Sequence, residues 1–187
     1  ITLEELKEMY GNGNEDGVLP IIAISFCWLT PLHPDPDGKQ LAIVAQMLEI
    51  EQGKYGKLFA EMGIFWDWLI LYQKDAQGNR TDAEILGFRF ALQETMDLWY
   101  AHQGTTVYML TKLPEGSTRK IGYSDSGWTT YERCSAEQIK KFYLFEAKWK
   151  LVLDLGAEDA ARQRGWPVGP DDFDQLVATK TFTNGAD

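Results

Sequence analysis

The segment Ser126-Gly-Trp-Thr-Thr-Tyr-Glu-Arg133 holds the sharpest chemical signal in the chain. Trp128 and Glu132 are four residues apart, so a helix opening near Gly127 brings both to one face. An indole stacks on a flat ring, and a carboxylate beside it hydrogen-bonds a ribose or steadies a developing oxocarbenium ion. The same pair also reads as an acid complementing the helix dipole beside a core tryptophan. Ala23-Ile-Ser-Phe-Cys-Trp28 sets Ser25 and Trp28 at the end of an apolar run, and Ile64-Phe-Trp-Asp67 puts one acid into another. A buried carboxylate is costly unless paired, so Asp67 either serves a site or ties down a loop at the sheet rim. His33 lies in the Pro-flanked loop after the first run, where it either contacts a substrate or is solvated.

The elements that must position these residues follow from periodicity. Thr2-Leu-Glu-Glu5 has capping-box spacing and predicts a short N-terminal helix ending at Gly11. Leu19–Leu29, 64–71 and 105–110 read as buried strands, with strand pairing expected near 20–28 in the first; 148–155 is either a fourth strand or the end of a helix. Between them, Lys39–Gln52 carries Leu41, Val44, Ala45 and Leu48 at helical spacing, with Gly53 as its stop. Thr81-Asp-Ala-Glu84 caps a helix whose face continues through Ile85, Phe88, Leu92, Met96 and Trp99, with Gly104 as its end. A fourth helix spans about 127–145, and 157–164 and 170–180 read as two short ones. Strands alternating with helices predict a parallel sheet covered on both faces. Ligands in such sheets bind beyond the carboxyl ends of the strands. His102 falls at the opposite edge, near the start of the third strand.

Composition bounds the function. The chain has 187 residues, enough for about one domain. Its net charge of −10 argues against a nucleic-acid backbone binder and against an anionic membrane surface. No apolar run approaches the ~20 residues of a membrane helix. Two cysteines, Cys27 and Cys134, provide neither a disulfide framework nor a metal spacing, and with two histidines no metal site is expected. A reducing, cytoplasmic setting is expected. Gly-x-Gly-x-x-Gly, P-loop and Gly-x-Ser-x-Gly signatures are absent. The chain opens on Ile1 and closes on Phe182-Thr-Asn-Gly-Ala-Asp187, which predicts a piece of a longer protein.

Three fragments in order resemble the TIR superfamily: Ile24-Ser-Phe-Cys-Trp28, Ile64-Phe-Trp-Asp67 and Gly127-Trp-Thr-Thr-Tyr-Glu132. The first is equally similar to the Ser-Tyr-x-Trp strand of heterokaryon-incompatibility domains. The resemblance covers roughly 18–155, leaving N-terminal (1–17) and C-terminal (156–187) helical extensions. It implies an α/β, flavodoxin-like three-layer sandwich on a parallel sheet of four or five strands. It also implies cleavage of the N-glycosidic bond of NAD or a related nucleotide, with NAD as substrate and no bound cofactor. Glu132 would then be catalytic, Trp128 and Trp28 would sandwich a ring, and Ser25, Asp67 and His33 would line the substrate site. Glu132→Ala is expected to abolish turnover with little change in stability. The sequence departs from the family after the first strand, where Cys27-Trp28 replaces basic residues and Thr30–Gly38 is long. That departure favours a non-catalytic domain that self-associates or recruits partners. A nucleoside deoxyribosyltransferase-like enzyme, with a glutamate nucleophile on the same sheet, is the third reading.

Overall fold

Ile21-Ile-Ala-Ile-Ser25 forms β1 (Ile21–Ser25), and from Ile22 onward every residue of it is buried. A strand buried on both faces belongs at the centre of a parallel sheet, and β1 lies between two neighbours. The computed structural model describes residues 21–55, 61–75, 77–102, 104–139, 143–144, 149–157 and 167–182. The expected helix over 1–11 lies outside them, as does nearly all of that over 157–164. After β1 come α1 (Lys39–Tyr55), β2 (Gly63–Phe65), α2 (Asp67–Ile70) and α3 (Asp82–Phe90). A π-helical segment (Ala91–Thr95) joins α3 to α4 (Met96–Ala101), followed by β3 (Thr105–Met109) and a 3₁₀ turn at Tyr123–Asp125. The chain continues through α5 (Gly127–Ile139), β4 (Tyr143–Leu144), β5 (Trp149–Lys150), β6 (Val152–Asp154) and α6 (Pro170–Ala178).

The main sheet has four parallel strands in the order β2-β1-β3-β6. Alternation sorts its side chains onto two faces. Ile22, Ile24, Tyr108 and Leu153 pack with Val44 of α1 on one face. Ala23, Val107, Met109 and Val152 pack with Met96 and Tyr100 of α4 and Ala136 of α5 on the other. The result is a three-layer α/β sandwich, as the alternation of elements predicts. Full burial of a side chain such as Ile22 contributes about 1.5–3 kcal/mol.

Five local expectations need correction. The first strand pairs only over Ile21–Ser25; Phe26–Trp28 run on beyond the sheet. The second strand stops at Phe65, because Asp67 turns the chain: its Oδ1 accepts the Trp68 N–H at 2.6 Å, and Leu71 N–H bonds the Asp67 carbonyl. Gly53 does not stop α1, which runs on to Tyr55; a glycine inside a helix costs only about 1 kcal/mol. The helix capped by Thr81 and Glu84 is interrupted at Ala91–Thr95, so Tyr100 takes the fully buried place expected for Trp99. The helix over 127–145 ends at Ile139, and 148–155 divides into β5, which pairs antiparallel with β4, and β6 in the main sheet.

The strand order reverses between β1 and β3: the chain leaves β1 for one side and β3 for the other. A crevice at the carboxyl ends of these two strands is the natural ligand position in such a sheet. The C-terminal segment closes onto the helix beside it. Thr181 pairs with Ser126, its carbonyl accepting the Gly127 N–H at 2.9 Å, and its N–H bonds the Asp125 carbonyl at 2.9 Å. Phe182 lies so close to Gly127 that a Cβ there would sit 2.3 Å from the ring. Gly127→Ala is expected to displace Phe182 and cost ~1–3 kcal/mol. Paired with Phe182→Ala in a thermal-melt double-mutant cycle, it should lose most of that cost; additive effects would place the strain elsewhere.

Candidate functional site

Ser25 is the last residue of β1, fully buried on the face covered by α4 and α5. Its Oγ donates to Glu132 Oε2 at 2.6 Å, across 107 residues of sequence. Ser25 has one hydrogen to give, so the 2.6 Å contact between its Oγ and the Tyr123 hydroxyl is donated by Tyr123. Tyr123, Ser25 and Glu132 thus form a directed chain of hydrogen bonds. The Tyr100 hydroxyl donates to the Ile24 carbonyl at 3.1 Å and lies within hydrogen-bonding reach of Glu132. Both tyrosines are buried, and desolvation pushes their phenols well above the usual range, with the Glu132 charge adding to it. They remain neutral donors.

Glu132 is the centre of this arrangement. Desolvation of its carboxyl raises its proton affinity well above the ordinary carboxylate range, and the charge of Asp67 adds to that rise. The Ser25 hydrogen bond pulls the other way, as does the Tyr100 hydroxyl beside it. Asp67 sits on the turn after β2, and burial lifts its carboxyl from 3.8 to about 6. Its countervailing partners are the Trp68 N–H and the Trp28 side chain. Two carboxyls with raised proton affinity at one sheet edge are a recurrent property of functional sites.

The loop over 112–126 brings Tyr123 into place. Arg119 donates to the Trp28 carbonyl at 2.6 Å and the Ile121 carbonyl at 2.7 Å, tying the loop to the extension of β1. Thr129 bonds the Tyr123 carbonyl from inside α5. Cys27, buried beside them, has its thiol pushed up by desolvation, with Arg119 opposing. On the other side of β1, Gln40 donates to the carbonyls of Cys27 (3.1 Å) and Pro34 (3.0 Å), fixing the loop over 29–38 to the same strand end.

Of the residues expected at the site, Ser25 and Glu132 touch, Trp28 bonds Asp67, and Asp67 acts on Glu132 through its charge. His33 is at the exposed rim, its ring 5.0 Å from that of Trp68. The expected Trp28–Trp128 sandwich is not what the rings form. Trp28 meets Trp68 edge-on at 5.2 Å, while Trp128 packs edge-on against Tyr131 and Phe182, where the C-terminal segment docks. Tyr100, Tyr123, Arg119 and Thr129 escaped sequence reasoning. Tyrosines in apolar surroundings read as core, and only the length of the loop before α5 pointed to Tyr123. Glu132→Ala, expected from the sequence to change stability little, would leave Ser25 without its acceptor. Among the described residues, no group of three His, Cys, Asp or Glu could hold a metal ion. None of their helices is long and apolar enough to cross a membrane. Comparison with protein-family profiles, with curated proteins and with solved structures finds no match.

Two predictions follow the charges. Because Asp67 titrates at about 6 when folded and near 3.8 otherwise, the folded chain keeps a proton that the unfolded chain loses in this window. Its stabilisation is full below about pH 4 and is lost as pH rises through about 6. Partial solvent contact holds the effect to on the order of 2 kcal/mol. Thermal melts of Asp67→Asn should show a flatter fall in stability from pH 4 to 7 than wild type; parallel curves would place the titration elsewhere. For the hydroxyl chain, Ser25→Ala should raise the Glu132 midpoint further in carboxyl-detected NMR, because a bond to the ionised form is lost. Tyr123→Phe should raise it by less, and no shift in that variant would mean Ser25 holds its orientation alone.

Proposed function

We propose that this chain is a TIR-like domain of flavodoxin-like topology that cleaves the N-glycosidic bond of NAD or a related nucleotide. The observation that carries the reading is Glu132, desolvated at the carboxyl end of β1 and held by Ser25 at 2.6 Å. In such a cleavage the bond from C1′ to the ring nitrogen breaks, and its electron pair passes to the nitrogen, which loses its positive charge. Water adds to C1′ and releases a proton. Between the two events the ribosyl carbon has oxocarbenium character, and a fixed carboxylate beside it stabilises the developing charge. Removal from water strengthens that interaction. The raised proton affinity of Glu132 has the same origin, and a cation arriving beside it favours the ionised form.

The strand order supports the topology, since β2-β1-β3-β6 matches the first four strands of the flavodoxin-like arrangement. Trp28, Trp68 and Asp67 would form the wall beside the scissile bond. A second reading, a self-associating interaction domain, draws on α3. None of its residues is buried, and Leu86 (71% exposed), Phe90 (61%) and Leu69 of α2 (70%) present apolar surface.

Incubating concentrated protein with NAD and following free nicotinamide tests the first reading. Wild type is expected to release it. Glu132→Gln, which keeps the volume and an acceptor for Ser25, should release it hundreds of times more slowly, the equivalent of about 3–4 kcal/mol of transition-state stabilisation. Its melting temperature should stay within a few degrees of wild type. Absence of nicotinamide from wild type, with concentration-dependent association that Phe90→Glu abolishes, would replace this reading with the second.

A further inference from the structure

We propose that Asp67 is the base of this reaction: it takes a proton from the water that adds to C1′, while Glu132 stays ionised against the ribosyl cation. The proposal rests on the glycosidic-bond reading and gives its second carboxyl a catalytic role.

The parallel register sets the two acids around one point. Ala23 pairs with Phe65 across β1 and β2, so Asp67, two residues on, stands level with Ser25. Phe65 packs on the face of α4 and α5, and Trp66, still extended, packs on that of α1. Alternation returns Asp67 to the face on which Ser25 holds Glu132. The Asp67 charge acts on Glu132 of α5 and on the Tyr100 phenol of α4. Asp67 and Glu132 are half-buried, whereas Ser25, Tyr100 and Tyr123 around them are buried. The two acids are thus the part of the centre open to a ligand and a water.

Breaking the nicotinamide bond needs no acid, because its electron pair neutralises the ring nitrogen. As the water oxygen bonds C1′, one O–H pair returns to that oxygen and the proton must pass to a base. Glu132 accepts from Ser25 at 2.6 Å and has the Tyr100 hydroxyl beside it, both of which favour its ionised form. Asp67 is met by the Trp68 N–H at 2.6 Å and by the Trp28 side chain, which leave acceptor sites on its oxygens for a water. Once the cation is consumed, two carboxylates are left at one site, and a proton on Asp67 relieves their repulsion. Its midpoint of about 6 suits a base working near neutrality. Of the other titratable groups around it, Tyr100 stays a neutral phenol, His33 meets Trp68 at the rim, and Arg119 is bonded to the Trp28 and Ile121 carbonyls.

Base exchange tests this, because a second nicotinamide can recapture the ribosyl cation and no proton then moves. The full chain is incubated with NAD and isotope-labelled nicotinamide, and the ratio of ADP-ribose formed to label entering NAD is measured. In Asp67→Asn, which keeps an oxygen for the Trp68 N–H, this ratio should fall about a hundredfold, while exchange stays within a few-fold of wild type. In wild type the ratio should fall as pH drops through about 6, where Asp67 gains its proton. Protonation of Glu132 cancels from the ratio, since it slows both routes alike. This wild-type profile decides the outcome if the variant does not fold. Exchange absent from wild type but present in Asp67→Asn supports the proposal equally, and its absence from both overturns it. Equal loss of both routes in Asp67→Asn, or a wild-type ratio independent of pH, would overturn the proposal and leave the glycosidic-bond reading standing. No cleavage of NAD by wild type would overturn both.

Discussion

A carboxyl withdrawn from water must be met by fixed dipoles, and Glu132 is met by the hydroxyl of Ser25 at 2.6 Å. That contact requires the end of β1 and the middle of α5 to keep their separation to a few tenths of an ångström. β1 supplies its half by being the most enclosed strand, flanked by β2 and β3 and packed on both faces. α5 supplies the other half through Thr129, which binds the preceding turn, and Ala136, which packs against the sheet. The pairing of Thr181 with Ser126 fixes the point where that helix begins. Much of the described structure between residues 105 and 182 thus serves to present one side chain to one strand end.

Polar groups around this centre are arranged in order of proton affinity. The phenols of Tyr100 and Tyr123 stay protonated, Ser25 relays their orientation, and both carboxyls hold their protons more tightly than carboxyls in water. The charge that bears on Glu132 is that of the other carboxyl, Asp67. Burial of this kind is unfavourable for the fold taken alone. It is offset by the parallel sheet, whose inward side chains are almost all apolar.

Two strands of the sheet were legible because apolar runs covering 21–25 and 105–109 alternate with helical spacing, whereas 148–155 stayed open between strand and helix; a central parallel strand has no polar face to obscure the pattern. The second run was misread in its later half. Trp66-Asp-Trp68 is as apolar as a strand, and only the Asp67 side chain, bonding its neighbour's N–H, reverses the chain there. Ser25 and Asp67 were legible as polar residues in apolar runs, and Glu132 by its four-residue spacing from Trp128. Tyr123 and Tyr100 were not, since a tyrosine fills a core as well as a phenylalanine does. The partner that distinguishes Tyr123 lies 98 residues away. The pairing of Trp28 with Trp68 depends on that same misread turn, which is why Trp128 was assigned its place.

The π-helical segment over Ala91–Thr95 adds one residue to a turn, with Thr95 Oγ1 bonding the Ala91 carbonyl inside it. An added residue acts as a screw: everything beyond it rotates by about 100° around the helix axis. Tyr100 reaches the Glu132 centre from beyond that screw, whereas the capped end at Thr81 lies before it. An unbroken α-helix of the same length would turn Trp99, not the phenol, toward the centre. The bulge therefore decides which aromatic ring meets Glu132, and removing its extra residue would heal the helix with Tyr100 still in place.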